Sequence, residues 1–500
     1  MKPPVRGAGP GWATLVVRNG RVLTMDPARS QATAVAAHGA RVLAVGTDED
    51  MQDFVRPGVT QVYDAGGRTV APGFIDIHAH LEWGGSTGPE VFVRQGVTTV
   101  VTGNCGMSAA DVGGYLEEVD AVGAQCNIAS YVGPEELRAQ AGQSDLYAPL
   151  TPAQLGRLEE LAGRALAAGA VGVSLGPEYV PGADWDELLV LARAAAGHGT
   201  LVSSHVRHAV ARAPEAVEEL IAIGRAAGCP VQVSHVGSIG GSNIAATLAV
   251  IDRARDAGLD VTADCYPYDA WSTMLQSAVF DGDWRARHEV DYADVEVISG
   301  PHLGERLNED SFRELRAAPE DTTVVGHGIP WRAVTAALRR PYCMVGSDGV
   351  PDVGADGVTR GHPRMAGTFP RVLGPLVRDE RLFDLEEALF KMTALPAWRL
   401  GLVGKGVLAA GRDADMVVFD PATIADTAGY EAERCASPPL GLALVFVRGV
   451  LTVRDGMYLG ALAGRAARPC PGAPSRDLEP DPPAHVVPDM STDGENGPAT

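Results

Sequence analysis

Eight short apolar runs recur between residues 74 and 349, and alanine-rich stretches separate them. The runs are FIDIHAH (74–80), GVTTVVTG (96–103), CNIASYVG (126–133), AVGVSLG (170–176), TLVSSHV (200–206), PVQVSHV (230–236), LDVTADCYP (259–267) and YCMVGSDG (342–349). Each has the length and β-branched content of a buried strand. Stretches such as 152–169 and 213–228 carry apolar residues at three-to-four spacing and end in glycine, the pattern of an amphipathic helix. A strand that returns through a helix pairs parallel to the strand before it. Eight such units predict an α/β fold, a (β/α)8 barrel.

The barrel leaves much of the 500-residue chain to place. Residues 10–72 and 398–465 are β-rich at the two ends, and they predict a small β-sandwich made by both chain ends beside a barrel at 73–397. Asn19-Gly20, between two β-rich runs, carries the strongest short hairpin signal. Residues 276–322 are charged and irregular and predict an insertion near the barrel mouth. Residues 466–500, rich in Pro, Asp and Gly, predict a disordered tail.

The formal net charge of −22 opposes phosphate backbones and anionic lipid, so no nucleic acid and no membrane partner is expected. The apolar run at 441–447 is cut by Arg448, far short of the ~18 residues needed to span a bilayer. Seven cysteines at irregular spacing form no CxxC pair, which predicts a reducing, cytoplasmic setting. A homo-oligomer stays open.

The strand ends share a chemistry. The first run ends in His78-Ala-His80, the second in Asn104-Cys105, the fifth in His205, the sixth in His235 and the eighth in Asp348. The C-terminal ends of barrel strands are where active sites sit. Residues i and i+2 of a strand face one side, so His78 and His80 can reach a single ion. One buried histidine is normally a hydrogen-bonded core residue, and His38, His198, His208, His288, His302 and His485 are read that way. Four histidines, a cysteine and an aspartate at strand ends suit Zn²⁺. Glycines around Cys105 predict a tight turn that exposes it.

These residues resemble the amidohydrolase superfamily and, within it, the N-acyl-D-amino-acid deacylases. The resemblance runs to about residue 460 and includes 71–80, GVTTVVTGNCG (96–106), GVSLGPEYVPG (172–182), 227–235, DVTADCYPYDAWST (260–273) and HPRMAGTFPRVLG (362–374). It implies a tight zinc held by Cys105, His205 and His235, with a weaker second position at His78 and His80. It implies a small-molecule N-acyl amino acid or related amide as substrate. Zinc would acidify a bound water and polarise the amide carbonyl. Asp348 would then take the proton as general base and return it to the leaving amine as general acid. The lysines are Lys2, Lys391 and Lys405, none on a barrel strand, which excludes the carboxylated-lysine bridge of other superfamily members.

Arg364, Tyr266 and Ser272 match the family's carboxylate-binding elements, and Tyr179 matches another pocket element. Three positions depart. Gly237 stands where the family has lysine, Pro134 where it has histidine, and SHVRHA (204–209) lacks an acidic residue. Either Arg207 or Arg364 compensates for the lost lysine, or the substrate differs. Alternative readings are an amidohydrolase acting on another amide, carbamate or cyclic imide, and a catalytically silent homologue.

Overall fold

The computed structural model describes residues 5–6, 11–82, 88, 90–353 and 358–470. All eight expected strands are present, at Phe74–Asp76, Val97–Thr102, Asn127–Ser130, Gly172–Leu175, Leu201–Ser204, Val231–Val233, Val261–Cys265 and Cys343–Val345. The first three pair in parallel as one sheet and the other five as a second, each in chain order. Single parallel bridges join the sheets at both margins, Val132 with Val173 and Ala79 with Gly349. These strands are buried along their whole length. That is why they read as continuous apolar runs rather than alternating ones.

The helices between them start and stop on local signals. Pro152–Ala167 begins in a capping box of Thr151 with Gln154 and buries Leu158, Leu161, Ala162 and Leu166 along one face. Ala213–Ala227 ends at Gly228, whose left-handed φ of 67° lets the backbone turn off the helix.

The β-rich ends interleave. Thr69–Pro72 pairs antiparallel with Met416–Phe419 at the middle of a seven-stranded sheet. A five-stranded sheet, Val5–Arg6, Arg41–Gly46, Ala34–His38, Leu15–Arg18 and Gln61–Asp64, is built from the N-terminal part alone. Leu15, Val17, Val35 and Val45 of that sheet share a core with Met416, Val418 and Phe446 of the other. The run 441–447 supplies the strand Leu442–Val447, and among the described residues no helix is long and apolar enough to cross a membrane. All seven cysteines are free thiols, six of them buried.

Three expectations are corrected. The Asn19-Gly20 turn closes no hairpin. Leu15–Arg18 pairs in the five-stranded sheet and Arg21–Leu23 in the seven-stranded one, so the turn carries the chain from sheet to sheet. A Cβ on Gly20 would lie 2.7 Å from Val70 Cγ2, so glycine serves close approach of the sheets there. The insertion is wider than 276–322 and is not irregular. Ala270–Met274, Thr323–His327 and Val295–Val297 form an antiparallel sheet over a core of Leu275, Val279, Phe280, Trp284 and Leu315. Charged residues on its outer side mask that core in the sequence. Finally, residues 466–470 of the expected tail are packed. Ala467 donates its N–H to Ile128 O at 2.7 Å, and Arg468 pairs with Asp120 at 2.7 Å. Residues 471–500 lie outside the described residues.

Candidate metal centre and active site

The expected ligands meet at one end of the parallel strands. His78 and His80 follow the first strand, where Asp76 Oδ1 accepts the N–H of His78 at 3.3 Å and of Ser347 at 2.8 Å, holding the first and eighth strand ends together. Burial pushes the Asp76 carboxyl up to about 7, against those hydrogen bonds. Cys105 sits in a turn only glycine can flank. A Cβ on Gly103 would lie 2.4 Å from Tyr131 O, and one on Gly106 2.9 Å from Gly176 N. Cys105, His235 and Asp348 have φ of 55°, 33° and 50°, a region non-glycine residues rarely adopt. Strain at three neighbouring side chains of one cluster is held by the packed strands beneath.

Two ligand sets share the thiol. One is His78, His80, Cys105 and Asp348, and the other is Cys105, His205 and His235, with ligand atoms within 4.8 Å of one another in each. Cys105 Sγ lies 3.3 Å from His78 Nε2 and 3.6 Å from His235 Nε2, and His205 Nδ1 lies 3.0 Å from His235 Nε2. Each histidine turns its other nitrogen to an anchor. His78 Nδ1 is 3.1 Å from Asp264, His80 Nδ1 3.0 Å from Glu82, His205 Nε2 2.7 Å from Glu178 and His235 Nδ1 3.4 Å from the Ser238 hydroxyl. Such partners fix ring orientation and leave the inward nitrogen as a donor to a metal. The donor set of thiolate and imidazole therefore fits a transition metal.

Electrostatics agree. Burial opposes ionisation of Cys105, but His78, His205 and His235 hold its pKa well below the ordinary thiol value. Burial likewise lowers the basicity of His205, yet Cys105 and Glu178 raise its pKa to about 9. Lys391 donates to Arg340 O and Cys343 O, and Lys405 pairs with Asp413 and Asp415, so neither reaches the cluster.

Asp348 closes the cluster on the cleft side. Its Oδ1 lies 3.5 Å from His78 Nε2 and 3.3 Å from His80 Nε2, and its Oδ2 lies 2.9 Å from Arg364 Nη1. Burial pushes its pKa up, but Arg364 and His78 outweigh that and hold it well below the usual carboxylate range. Arg364 is 1% exposed and stacks 4.5 Å over the Tyr266 ring. Tyr266, Tyr179 and Ser272 line the cleft, with the Ser272 hydroxyl donating to Val324 O at 2.9 Å. Arg207 is a correction. Its guanidinium is engaged by Glu219 at 3.0 Å and by Ala183 O at 2.8 Å, whereas Arg364 pairs with Asp348.

Glu82, Glu178 and Asp264 are missing from the sequence-derived site. Glu82 follows His80 at i+2, Asp264 precedes the YPY segment, and Glu178 lies inside GPEYVPG, so motif position was the available signal. His288, read as a core histidine, also belongs here, its Nε2 3.3 Å from Glu178 Oε1.

Comparison with known proteins places the chain among amidohydrolases. The Amidohydrolase family model matches residues 61–263 and 242–457. An N-acyl-D-glutamate deacylase from Alcaligenes xylosoxydans xylosoxydans is 37% identical over 466 residues, 87% of this chain and 92% of that protein. A crystal structure of D-aminoacylase superposes with a TM-score of 0.79 at 30% identity, covering 91% of this chain and all (100%) of the other. A Bordetella bronchiseptica N-acyl-D-glutamate deacylase, complexed with zinc and a phosphonate mimic of the tetrahedral intermediate, gives 0.77 at 33% identity, covering 91% and 100%. The chain belongs to the amidohydrolase family and is an enzyme of the D-aminoacylase type, a hydrolase of amide carbon–nitrogen bonds.

Proposed function

We propose that the protein is a zinc-dependent N-acyl-D-amino-acid deacylase that releases a carboxylate and a D-amino acid. The carrying observation is the Cys105–His205–His235 cluster with the Asp348 carboxylate beside it at the floor of a cleft. Cys105, His205 and His235 would hold one zinc tightly, and His78 and His80 a weaker second ion. Zinc supplies Lewis-acid polarisation of the scissile carbonyl and acidifies water from 15.7 toward ~7. Asp348, kept ionised by Arg364, takes the proton of the attacking water and delivers it to the amine nitrogen as the C–N bond breaks. Arg364, Tyr266, Ser272 and Tyr179 orient the substrate, with the guanidinium directed to its carboxylate.

The scaffold reading belongs with this function. The bridges Val132–Val173 and Ala79–Gly349 support closure of the eight parallel strands into a (β/α)8 barrel over residues 73–397. The shared core of the two β-rich sheets supports a β-sandwich from 10–72 and 398–465. Seven free thiols suit a cytoplasmic protein.

The test measures bound zinc and amine release from paired N-acetyl-D- and L-amino acids. About one zinc per chain, D-selective turnover and loss of that turnover in Asp348→Asn are expected. Zinc without turnover of any pair would move the activity to another amide, carbamate or cyclic imide, a reading that Gly237, in place of the family lysine, favours. A zinc-free, inactive protein would leave the silent homologue.

A further inference from the structure

Glu178 sets its two carboxylate oxygens against imidazoles from distant parts of the chain. Oε2 lies 2.7 Å from Nε2 of His205, the residue that follows the strand Leu201–Ser204. Oε1 lies 3.3 Å from Nε2 of His288, the last residue of the helix Trp284–His288 in the insertion. All three side chains are buried. The insertion and an expected metal ligand therefore meet on one carboxylate.

The insertion holds His288 in place through its own core. Trp284, one turn earlier, packs edge-on to Phe280 at 5.1 Å, in the cluster with Leu275, Val279 and Leu315. Trp271, on the strand Ala270–Met274, lies 5.8 Å from the Phe280 ring and 5.8 Å from the His288 ring. The helix stops at His288 because Glu289 turns left-handed, with a φ of 54°, and Val290 donates its N–H back to Arg285 O at 3.2 Å. Packing against Trp271 needs no nitrogen, yet His288 turns one to the Glu178 carboxylate.

That carboxylate governs His205. The inward nitrogen of His205, Nδ1, lies 3.0 Å from His235 Nε2, on the side of the ligand cluster. It can bind a metal only when the ring proton sits on Nε2, where Glu178 accepts it. A buried carboxylate oxygen that lacks a donor costs free energy and leaves the group free to turn. His288 supplies a donor for the second oxygen, and so fixes the angle at which the first one meets His205.

Resting on the zinc-centre reading above, we propose that the insertion is part of the metal centre. His288 is a positioning residue that acts through Glu178 on His205, so seating of the insertion against the barrel and zinc binding favour one another. Such a coupling is reciprocal: the factor that seating adds to zinc affinity is the factor that zinc adds to seating.

The experiment challenges the zinc-loaded full chain with a chromophoric chelator and reads zinc affinity. His288→Leu is expected to weaken it about 5-fold or more, the scale of one lost hydrogen bond. His288→Gln, whose amide nitrogen can donate from the same place, is expected to keep affinity within ~2-fold of wild type. In a Glu178→Gln background, His288→Leu is expected to add no further loss, because both changes act along one path. Equal losses in the two backgrounds, or unchanged affinity in a folded His288→Leu protein, overturn the proposal and leave the zinc centre standing. A wild-type chain that binds no zinc removes the centre and this inference with it. Amide hydrogen exchange of the wild type over 284–290 gives a second reading that needs no variant. Zinc is expected to slow exchange there about 5-fold or more relative to the chelated protein, and exchange that zinc leaves unchanged overturns the proposal.

Discussion

Arg364 Nη1 lies 2.9 Å from Asp348 Oδ2, a buried ion pair between the carboxylate proposed to carry the proton and the residue proposed to bind the substrate. On the proposed function, one guanidinium would serve two anions, the general base and the substrate carboxylate. Arg364→Leu should lower kcat and raise KM together, by about 100-fold or more in kcat/KM, since breaking a buried pair costs ~3–5 kcal/mol. Steady-state kinetics on an N-acetyl-D-amino acid and its C-terminal amide check this. The loss should be smaller on the amide, which has no carboxylate to anchor.

Glu178 accepts from His205 and faces His288, so it fixes which nitrogen of the proposed metal ligand His205 points inward. Glu178→Gln should weaken zinc affinity by about 10- to 100-fold, the usual effect of losing such a partner. Competition with a chromophoric chelator measures it. An unchanged zinc affinity in a folded variant would remove Glu178 from the centre.

Gly103 precedes Cys105 by two residues and has a φ of 79°. Gly103→Ala drives a Cβ to within 2.4 Å of Tyr131 O and should shift the turn that presents the thiol. The expected outcome is a lower melting temperature, on the order of 1–3 kcal/mol of stability, and sub-stoichiometric zinc. Cys105→Ser, which keeps the glycine turn, should lose zinc without the same loss of stability.

Lys405 pairs with Asp413 at 3.0 Å and Asp415 at 2.7 Å, and Asp415 also accepts from Asn127 at 3.1 Å. Burial lowers the Lys405 pKa, but the two aspartates outweigh it, and the folded value is raised above the ordinary lysine value of 10.5. A raised folded pKa contributes stability that is fully present below the unfolded value and is lost as pH rises through the folded one. Stability should therefore decline above about pH 10.5. Lys405→Met should cost ~3–5 kcal/mol at neutral pH and flatten that alkaline decline. Chemical denaturation across pH tests both.

The parallel strands, and the clustering of His78, Cys105, His205, His235 and Asp348 at their ends, were legible because burial on both faces leaves continuous apolar runs that stop abruptly at these residues. The Asn19-Gly20 turn was misread because a local turn signal carries no information about which sheet each flanking strand joins. The insertion sheet was missed because strands such as Val295–Val297 are too short for period-two alternation to show. Glu82, Glu178 and Asp264 escaped because a carboxylate in a loop looks like solvent-facing charge until a histidine from elsewhere in the chain meets it. Arg207 was overvalued for the converse reason, since Glu219, twelve positions away, neutralises it.

The pairing of Thr69–Pro72 with Met416–Phe419 also sets an order of events during synthesis. The earlier strand leaves the ribosome roughly 350 residues before its partner, an interval of about 20–70 s at 5–20 residues per second. Through that interval its backbone donors and acceptors on that side form an open edge able to capture another chain. The nascent protein is therefore most exposed to aggregation before Met416–Phe419 is made, and truncation before Met416 should yield insoluble material rather than a smaller folded enzyme.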